Sequence, residues 1–162
     1  MAGLWLISYT TNSLNMKYFS FAAVLSLFII SAFAEIIEIG APPDGTQVKP
    51  GQKIKVEVIQ PNSIEGPIEV GLVISFLSCT TFNDSICPPP NQQLGSILYN
   101  GPYNPQYPNP NPYHLQPHQN FTVTIPSGAS QGKGQLAVTS FELRGAGPSP
   151  TYNIRNITLN VI

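Results

Sequence analysis

Two cysteines are the side chains of this chain most clearly able to form a covalent bond. Cys79 and Cys87 are its only cysteines, and in an oxidising compartment they most simply form one disulfide, with two free thiols as the alternative. Closing so short a loop is worth about 2.5 kcal/mol on the chain-entropy account, against a domain stability of about 5 to 15 kcal/mol. We therefore expect the bridge to pin one corner of the fold and to hold the segment that follows, Leu94 to Tyr107.

The two histidines do not form a recognisable metal site. His114 and His118 lie in a proline-rich segment, on no predicted helix, and no third ligand accompanies them in the sequence. We interpret them as exposed loop residues and predict no metal. Secreted β-sandwich oxidases that hold copper use an N-terminal histidine, whereas processing is predicted below to leave Glu35 first, which argues against an oxidative polysaccharide enzyme.

The carboxylates and hydroxyls likewise lack a catalytic arrangement. Glycoside hydrolysis needs one acid with a raised pKa beside a second acid, but most acids here fall at predicted turns or on the polar side of predicted strands. The sequence has no Gly-x-Ser-x-Gly elbow and no phosphate-binding glycine loop in a strand-then-helix context. We therefore predict a protein that is not an enzyme and needs no cofactor. The acids considered are Glu35, Glu38, Asp44, Glu57, Glu65, Glu69, Asp84 and Glu142.

Four tyrosines are the candidate partner-binding residues. They lie within or beside the proline-rich segment Pro102 to Pro117, and tyrosine at low charge density is favoured at recognition surfaces. The rings could stack on sugars, dock onto a protein, or fold back and seal the edge of the domain, and the sequence leaves all three open. The tyrosines are Tyr99, Tyr103, Tyr107 and Tyr113.

Residues 16–34 have the layout of a cleaved secretory signal peptide. Lys17 precedes an apolar run, Phe19 to Ile30, and Ala32-Phe33-Ala34 forms a small-x-small cleavage site. The run is too short to span a bilayer comfortably, so we predict no membrane insertion. Residues 1–15 carry no charge, unlike the start of a signal, so we expect an over-extended start there and a mature, extracellular chain of residues 35–162.

Low charge excludes several classes of partner. Charged residues make up 9% of the chain, against roughly a quarter in typical soluble domains, and no basic cluster is present to attract nucleic acid or an anionic membrane. Solubility must then come from neutral polar side chains and from sugar. Three sequons offer glycosylation sites, at Asn83, Asn120 and Asn156.

The segments that position these residues read as short β-strands. Lys53 to Val58 alternates without error, placing Ile54, Val56 and Val58 on one face. No helical period appears after Ala34, and turn residues separate the segments. The pattern predicts an all-β fold, a single immunoglobulin-like β-sandwich of about seven strands, which we expect to be monomeric. The predicted strands are 35–39, 53–58, 68–77, 94–99, 120–125, 135–143 and a last strand that turns Ile157, Leu159 and Val161 inward.

A set of motifs is spread along residues 35–162. The longest is Leu94-Gly-Ser-Ile-Leu-Tyr-Asn-Gly-Pro-Tyr-Asn-Pro-Gln-Tyr107, which is improbable by chance. The others are Gln60-Pro-Asn-Ser, Glu69-Val, Val73-Ile, Cys79, Cys87-Pro, Gln119-Asn-Phe-Thr-Val-Thr-Ile-Pro126 and Gly145-Ala-Gly-Pro148. In that order and spacing they resemble the fungal necrosis-inducing secreted protein family of plant-interaction effectors.

The resemblance implies a function that the residue patterns do not. It implies a secreted effector, named for causing cell death in host leaves, that binds host receptor-associated protein kinases and suppresses pattern-triggered immunity, in the apoplast or inside the host cell. A rival interpretation is a secreted module that binds cell-wall glycans through the tyrosines and prolines. Two features depart from the family pattern: Arg144 and Ser149 flank Gly-Ala-Gly-Pro where apolar residues are expected, and residues 108–117 are unusually rich in Asn-Pro. Either change would alter kinase binding if it lay in the interface.

Overall fold

The structure, a computed structural model, describes residues 37–63 and 66–162. The predicted start region 1–15, the predicted signal peptide 16–34, Glu35 and Glu65 lie outside the described residues. Eight strands make up most of the described chain, and two short 3-10 turns follow the fourth strand, at Cys79–Thr81 and Asn83–Ser85. The strands are β1 (Glu38–Ala41), β2 (Thr46–Val48), β3 (Lys53–Ile59), β4 (Ile68–Ser78), β5 (Ser96–Gly101), β6 (His118–Thr124), β7 (Gly132–Arg144) and β8 (Ser149–Val161).

The strands form two sheets that face each other across one apolar core. One sheet has three strands in the order β1-β3-β6, and the other has five in the order β2-β8-β7-β4-β5. All neighbours are antiparallel except β2 and β8. This division of strands between two sheets is that of immunoglobulin-like sandwiches, so the predicted fold class is confirmed.

Strict alternation of apolar and polar residues builds the core. Ile54, Val56 and Val58 of β3 are buried, as predicted, and they face the sandwich interior together with Phe121 and Val123 of β6. From the larger sheet the core receives Leu72, Ile74, Phe76, Leu136, Val138, Leu159 and Val161, all 3% exposed or less. One cluster therefore spans both sheets.

The short β2 is the one described strand that the sequence did not predict. Val48 is 1% exposed and pairs with Val161 in a parallel register, and the amide of Ile162 donates to the carbonyl of Val48. Three residues beside Pro50-Gly51 give no periodic signal, so only this long-range pairing identifies the strand.

The loops gather at the two ends of the sandwich. At one end, the disulfide end, the amide of Ile125 donates to the carbonyl of Gln52, and Ser78 pairs with Gly134. Here lie the turns 49–52 and 126–131 and the long connection 79–95. At the other end, the tyrosine end, lie the connections 60–67, 102–117 and 145–148. The amide of Gln60 donates to the carbonyl of Pro117 there.

This arrangement corrects one expectation from the sequence. The predicted disulfide Cys79–Cys87 is present, but it lies at the disulfide end, whereas residues 102–117 lie at the tyrosine end. The six residues of β5 separate the two regions, a distance of about 20 Å at the rise of a β-strand. The bridge therefore cannot hold Tyr103 or Tyr107 directly.

Candidate functional site

The four candidate tyrosines divide into two that are packed inside the tyrosine end and two that face outward. Tyr103 is 4% exposed, and its hydroxyl donates to the carbonyl of Val58. Tyr99 is half-buried, with its ring centroid 4.6 Å from that of Phe121 and its hydroxyl donating to the carbonyl of Pro102. These two rings seal the edge of the sandwich, the third of the roles that the sequence left open, and Tyr103 has no surface to offer a partner.

Tyr107 and Tyr113 form the outward-facing part of the site. They are 57% and 82% exposed, and the Tyr107 hydroxyl donates to the Asn62 side chain in the neighbouring 60–67 connection. The loop that carries them is ordered by internal bonds: Asn104 accepts from Gln106, and Asn111 both donates to and accepts from Leu115. The structure therefore presents two tyrosine faces on a braced loop, next to a second loop.

A buried charged cluster lies beneath this end, whereas the sequence predicted that most of the acids lie at turns or on the polar side of strands. Glu69 and Glu142 are paired residues of β4 and β7. The Glu142 side chain is fully buried, accepts from Arg144 Nε at 2.7 Å and also accepts from the Asn153 amide. Both Glu69 oxygens are buried without a hydrogen-bond partner. Arg144 thus bonds one of the two paired carboxylates, Glu142, and acts on Glu69 only through its charge.

The environment of the cluster raises two pKa values. Burial raises the pKa of the Glu69 carboxyl to about 7, the negative charge of Glu142 adds to the rise, and the positive charge of Arg144 opposes it. Burial also raises the pKa of the Tyr103 hydroxyl well above its usual value, reinforced by the charges of Glu69 and Glu142. Tyr103 therefore stays protonated and keeps its bond to Val58. Since Tyr103 belongs to residues 102–117, here called the tyrosine loop, the charge of the carboxylate pair acts on a residue of this loop.

The raised pKa of Glu69 predicts a pH-dependent stability. Between the unfolded value of 4.5 and about 7, the folded state binds more protons than the unfolded state, so stability falls as pH rises through that interval. We expect a loss of about 1 to 2 kcal/mol from pH 5 to pH 8, after allowing for solvent screening, because the Glu69 residue as a whole is partly exposed although its oxygens are buried. Denaturant midpoints measured at each pH would show the slope in the natural protein.

Glu69→Gln should remove that slope, because the amide does not titrate. Glu38→Gln, at an exposed position of β1, is the matched control and should retain it. Equal slopes in the natural protein and in Glu69→Gln would mean that another group carries the dependence.

The strand phase of β7 contains the signal that could have located the buried acid. Leu136 and Val138 face the core, so Ser140 and Glu142 continue the inward side of the same strand, and both are 1% exposed or less. Glu69 gives no such signal. A bulge between Glu69 and Gly71 shifts the register of β4, so the phase of the later part of the strand does not extend to it.

The two histidines line one cleft at the tyrosine end, but only His114 is the exposed loop residue that the sequence predicted, because His118 is partly buried in a strand. His118 begins β6, and its Nδ1 lies 2.9 Å from the carbonyl oxygen of Gln116, while His114 is exposed in the loop with a φ of 51°. Both line a small cleft with Glu38 and Glu57. Within residues 37–63 and 66–162, no group of three or more histidine, cysteine or acidic side chains is arranged to hold a metal ion.

A second candidate surface covers the outer side of the five-stranded sheet. After Cys87, residues 88–94, here called the cover segment, return across this side: the Pro88 carbonyl accepts from the Gln135 amide at 3.3 Å. Gly95 closes the segment at a φ of 76°, where a Cβ would clash with the carbonyl oxygen of Phe76. The disulfide therefore anchors the cover segment rather than the tyrosine loop.

The cover segment forms one wall of an open groove of about 400 Å³. Thr139, Phe141, Tyr152 and Ile154 line its other side, and here Phe141 and Tyr152 are 44% and 62% exposed. The apolar surface continues past the groove to Val70, which is 62% exposed. We refer to this as the outer groove, and nothing in the sequence signalled it, because β7 and β8 pair across a register that only the fold defines.

The three sequons are all at exposed positions but differ in their surroundings. Asn83 lies in a 3-10 turn inside the disulfide loop, Asn120 pairs with Glu57 on the outer side of the smaller sheet, and Asn156 pairs with Ala137 on the side that carries the outer groove. Their occupancy stays a prediction. Among the described residues, no helix has the length and apolar character needed to cross a membrane.

Comparison with known proteins identifies the family. A solved structure of fibronectin(III)-like modules of Clostridium thermocellum CbhA is similar at a TM-score of 0.38 and 9% identity, covering 78% of this chain and 96% of that one; a likeness at this level adds nothing to the fold described above. No curated protein matches the chain. The model of the Nis1 family matches residues 32–160, which is nearly the whole of the predicted mature chain. The chain belongs to the Nis1 family, a family of fungal effectors.

Proposed function

We propose that the protein is a secreted, non-enzymatic fungal effector that binds host receptor-associated protein kinases, suppresses pattern-triggered immunity and can induce necrosis. Membership of an effector family is the observation that carries this proposal. A disulfide between Cys79 and Cys87 supports passage through an oxidising export route, in which the predicted signal peptide is removed. The protein then acts in the apoplast or in the host cell.

The tyrosine end is the surface proposed for the kinase. Tyr107 and Tyr113 expose rigid aromatic faces on an internally bonded loop, and aromatic side chains of this kind supply much of the binding energy at protein interfaces. The buried Tyr103 supports the loop from below through its bond to Val58. Arg144, which departs from the family pattern, is engaged with Glu142 beneath this end, which favours a role in the fold over one in the interface.

A binding experiment tests the proposal. We expect the oxidised mature chain to co-precipitate with the cytoplasmic domain of a plant immune co-receptor kinase and to lower its autophosphorylation. Replacing both exposed rings, Tyr107→Ala with Tyr113→Ala, should weaken binding about tenfold, equivalent to about 1.4 kcal/mol. The matched control is Thr124→Ala on the outer side of the smaller sheet, at an exposed position of β6 that belongs to no sequon.

The outcomes separate the possibilities. A folded, oxidised sample that shows no binding at about tens of micromolar would rule out the kinase proposal. Binding that survives the double tyrosine change would retain the kinase partner but move the interface away from the tyrosine end. Tyr103→Phe, which removes only a buried hydroxyl, should lower thermal stability without changing the contact surface.

A carbohydrate-binding module is the second candidate function. The exposed ring of Tyr113 on an uncharged, proline-rich loop favours it, because the apolar face of a sugar ring packs on an aromatic ring. Retention on chitin, β-glucan or cellulose that disappears with Tyr107→Ala and Tyr113→Ala would support it. Retention on none of the three would exclude these wall polymers.

A further inference from the structure

The outer groove presents aromatic surface that this fold leaves uncovered. Phe141 and Tyr152 stand side by side as paired residues of β7 and β8, in a groove walled by the cover segment and continuous with Val70. Contiguous exposed apolar surface on a soluble domain usually marks a site that something covers. The chain itself offers a covering group.

Asn156 lies at the head of this groove. On β8 it follows Ile154 by two residues and Tyr152 by four, and side chains at that spacing project from the same side of a strand. The distance along β8 from Asn156 to Tyr152 is about 13 Å at the rise of a β-strand. Asn156 is exposed and begins the sequon Asn156-Ile157-Thr158, so a carbohydrate attached there starts on the same surface as the aromatic pair.

A hydrogen bond at Asn156 restricts how an attached sugar leaves the surface. Its Nδ2 donates to Oε1 of Gln135 at 3.3 Å, and the amide of Gln135 in turn donates to Pro88 of the cover segment. N-linked glycosylation replaces one of the two hydrogens on Nδ2 and leaves the other to keep this bond. An attached sugar would therefore start from a side chain that this bond ties to Gln135, which is itself bonded to the cover segment.

The other two sequons do not share this setting. Asn120 lies on the outer side of the smaller sheet, as does Thr122, and its paired residue on the neighbouring strand β3 is Glu57. Asn83 belongs to a turn in the disulfide loop. Neither residue belongs to β7 or β8, the strands that carry Phe141 and Tyr152.

We propose that Asn156 carries an N-linked glycan whose first N-acetylglucosamine residues lie in the outer groove and stack on Tyr152 and Phe141. The apolar C–H faces of these sugars pack on the rings, while their hydroxyl groups face water, so the glycan converts an apolar face into a hydrophilic one. The inference rests on the proposed export of the protein, because only an exported chain meets the glycosylation machinery. It also assigns the outer groove to the protein's own sugar and leaves the tyrosine end for the partner.

The test uses the full chain exported from a yeast host. We expect peptide mapping by mass spectrometry to find Asn156 occupied, and NMR to find nuclear Overhauser contacts between the Tyr152 ring and N-acetylglucosamine protons. Native removal of the glycan should shift the Tyr152 ring signals and at least double the fluorescence of an apolar-surface dye. Thr158→Ala abolishes the sequon but keeps the Asn156 side chain, and it should reproduce both changes. Asn120→Gln is the matched control and should leave both readouts unchanged.

Each result decides one point. An exported chain with Asn156 bare, or with the Tyr152 signals identical with and without glycan, overturns the inference while leaving the effector proposal intact. A chain that is retained in the cell would overturn the proposed export itself. A glycan on Asn156 that does not contact Tyr152 would establish the modification and overturn the stacking.

Discussion

We expect Cys79→Ser to lower the free energy of unfolding by about 2.5 kcal/mol, the loop-closure entropy of so short a ring, and to loosen the cover segment, residues 88–94. The bridge joins the end of β4 to the start of that segment, which then lies on the five-stranded sheet through the bond of Gln135 to Pro88. Chemical denaturation measures the stability, and amide hydrogen exchange locates the loosening. The tyrosine loop, at the far end of β5, should keep its protection.

Cys87→Ser is the companion variant. Cys79 is 4% exposed whereas Cys87 is only partly buried, so Cys79→Ser places a hydroxyl inside the core and Cys87→Ser does not. We expect the loss in Cys87→Ser to reflect the missing bridge alone, and that in Cys79→Ser to be at least as large. An unchanged denaturation midpoint in Cys87→Ser would show that packing, not the bridge, holds this corner. Faster amide hydrogen exchange in residues 102–117 of either cysteine variant would mean that the bridge does stabilise the tyrosine loop.

The parts of the fold that the sequence predicts are those set by local periodicity. Ile54, Val56 and Val58 alternate with charged residues, and Phe121 and Val123 alternate with polar ones, so the pleat of a strand fixes which side each residue faces. The disulfide could also be predicted from the sequence, because two cysteines in an exported chain have only one possible intramolecular pairing. The small β2 was not, because its signal is a pairing with residues more than a hundred positions away.

The candidate site depends on information that is not local. Whether a tyrosine in a proline-rich segment faces in or out is decided by what it meets: Tyr103 finds the carbonyl of Val58, whereas Tyr113 extends into solvent. The outer groove exists only because β7 and β8 place Phe141 beside Tyr152. Residue types showed that aromatic contacts were available, but only the three-dimensional register shows which ones a partner or a sugar can reach.

The buried carboxylate pair has a further consequence for the two compartments considered for this protein. At acidic pH, Glu69 is largely protonated, which relieves the repulsion from Glu142. At the near-neutral pH of a cell interior it is about half ionised, since its pKa is about 7. The packing around the carboxylate pair, beneath the tyrosine end, is therefore more stable in an acidic apoplast than in a neutral cytoplasm.

Arg144→Met should lower the free energy of unfolding by about 3 kcal/mol at pH 8, the lower end of the range for breaking a buried ion pair, because the Arg144 side chain is still 23% exposed. The fully buried Glu142 carboxylate accepts from Arg144 and from the Asn153 amide, and the change removes the first of these two donors. Denaturant titration at pH 8 measures the loss. Lys133→Met, at an exposed cation near the other end of the same strand, is the matched control and should cost no more than about 0.5 kcal/mol.

A second substitution should recover much of that loss. In the double variant Glu142→Gln with Arg144→Met, the uncompensated charge is gone and the carbonyl oxygen of the new amide can still accept from Asn153, so we expect at least half of the stability to return. A loss below about 1 kcal/mol in Arg144→Met alone would mean that water reaches the carboxylate and that the pair is not truly buried. If the double variant also binds the kinase as the natural protein does, Arg144 is not needed in the interface. The arginine at this position, where the family pattern has an apolar residue, then stabilises the fold beneath the tyrosine end and does not contact the partner.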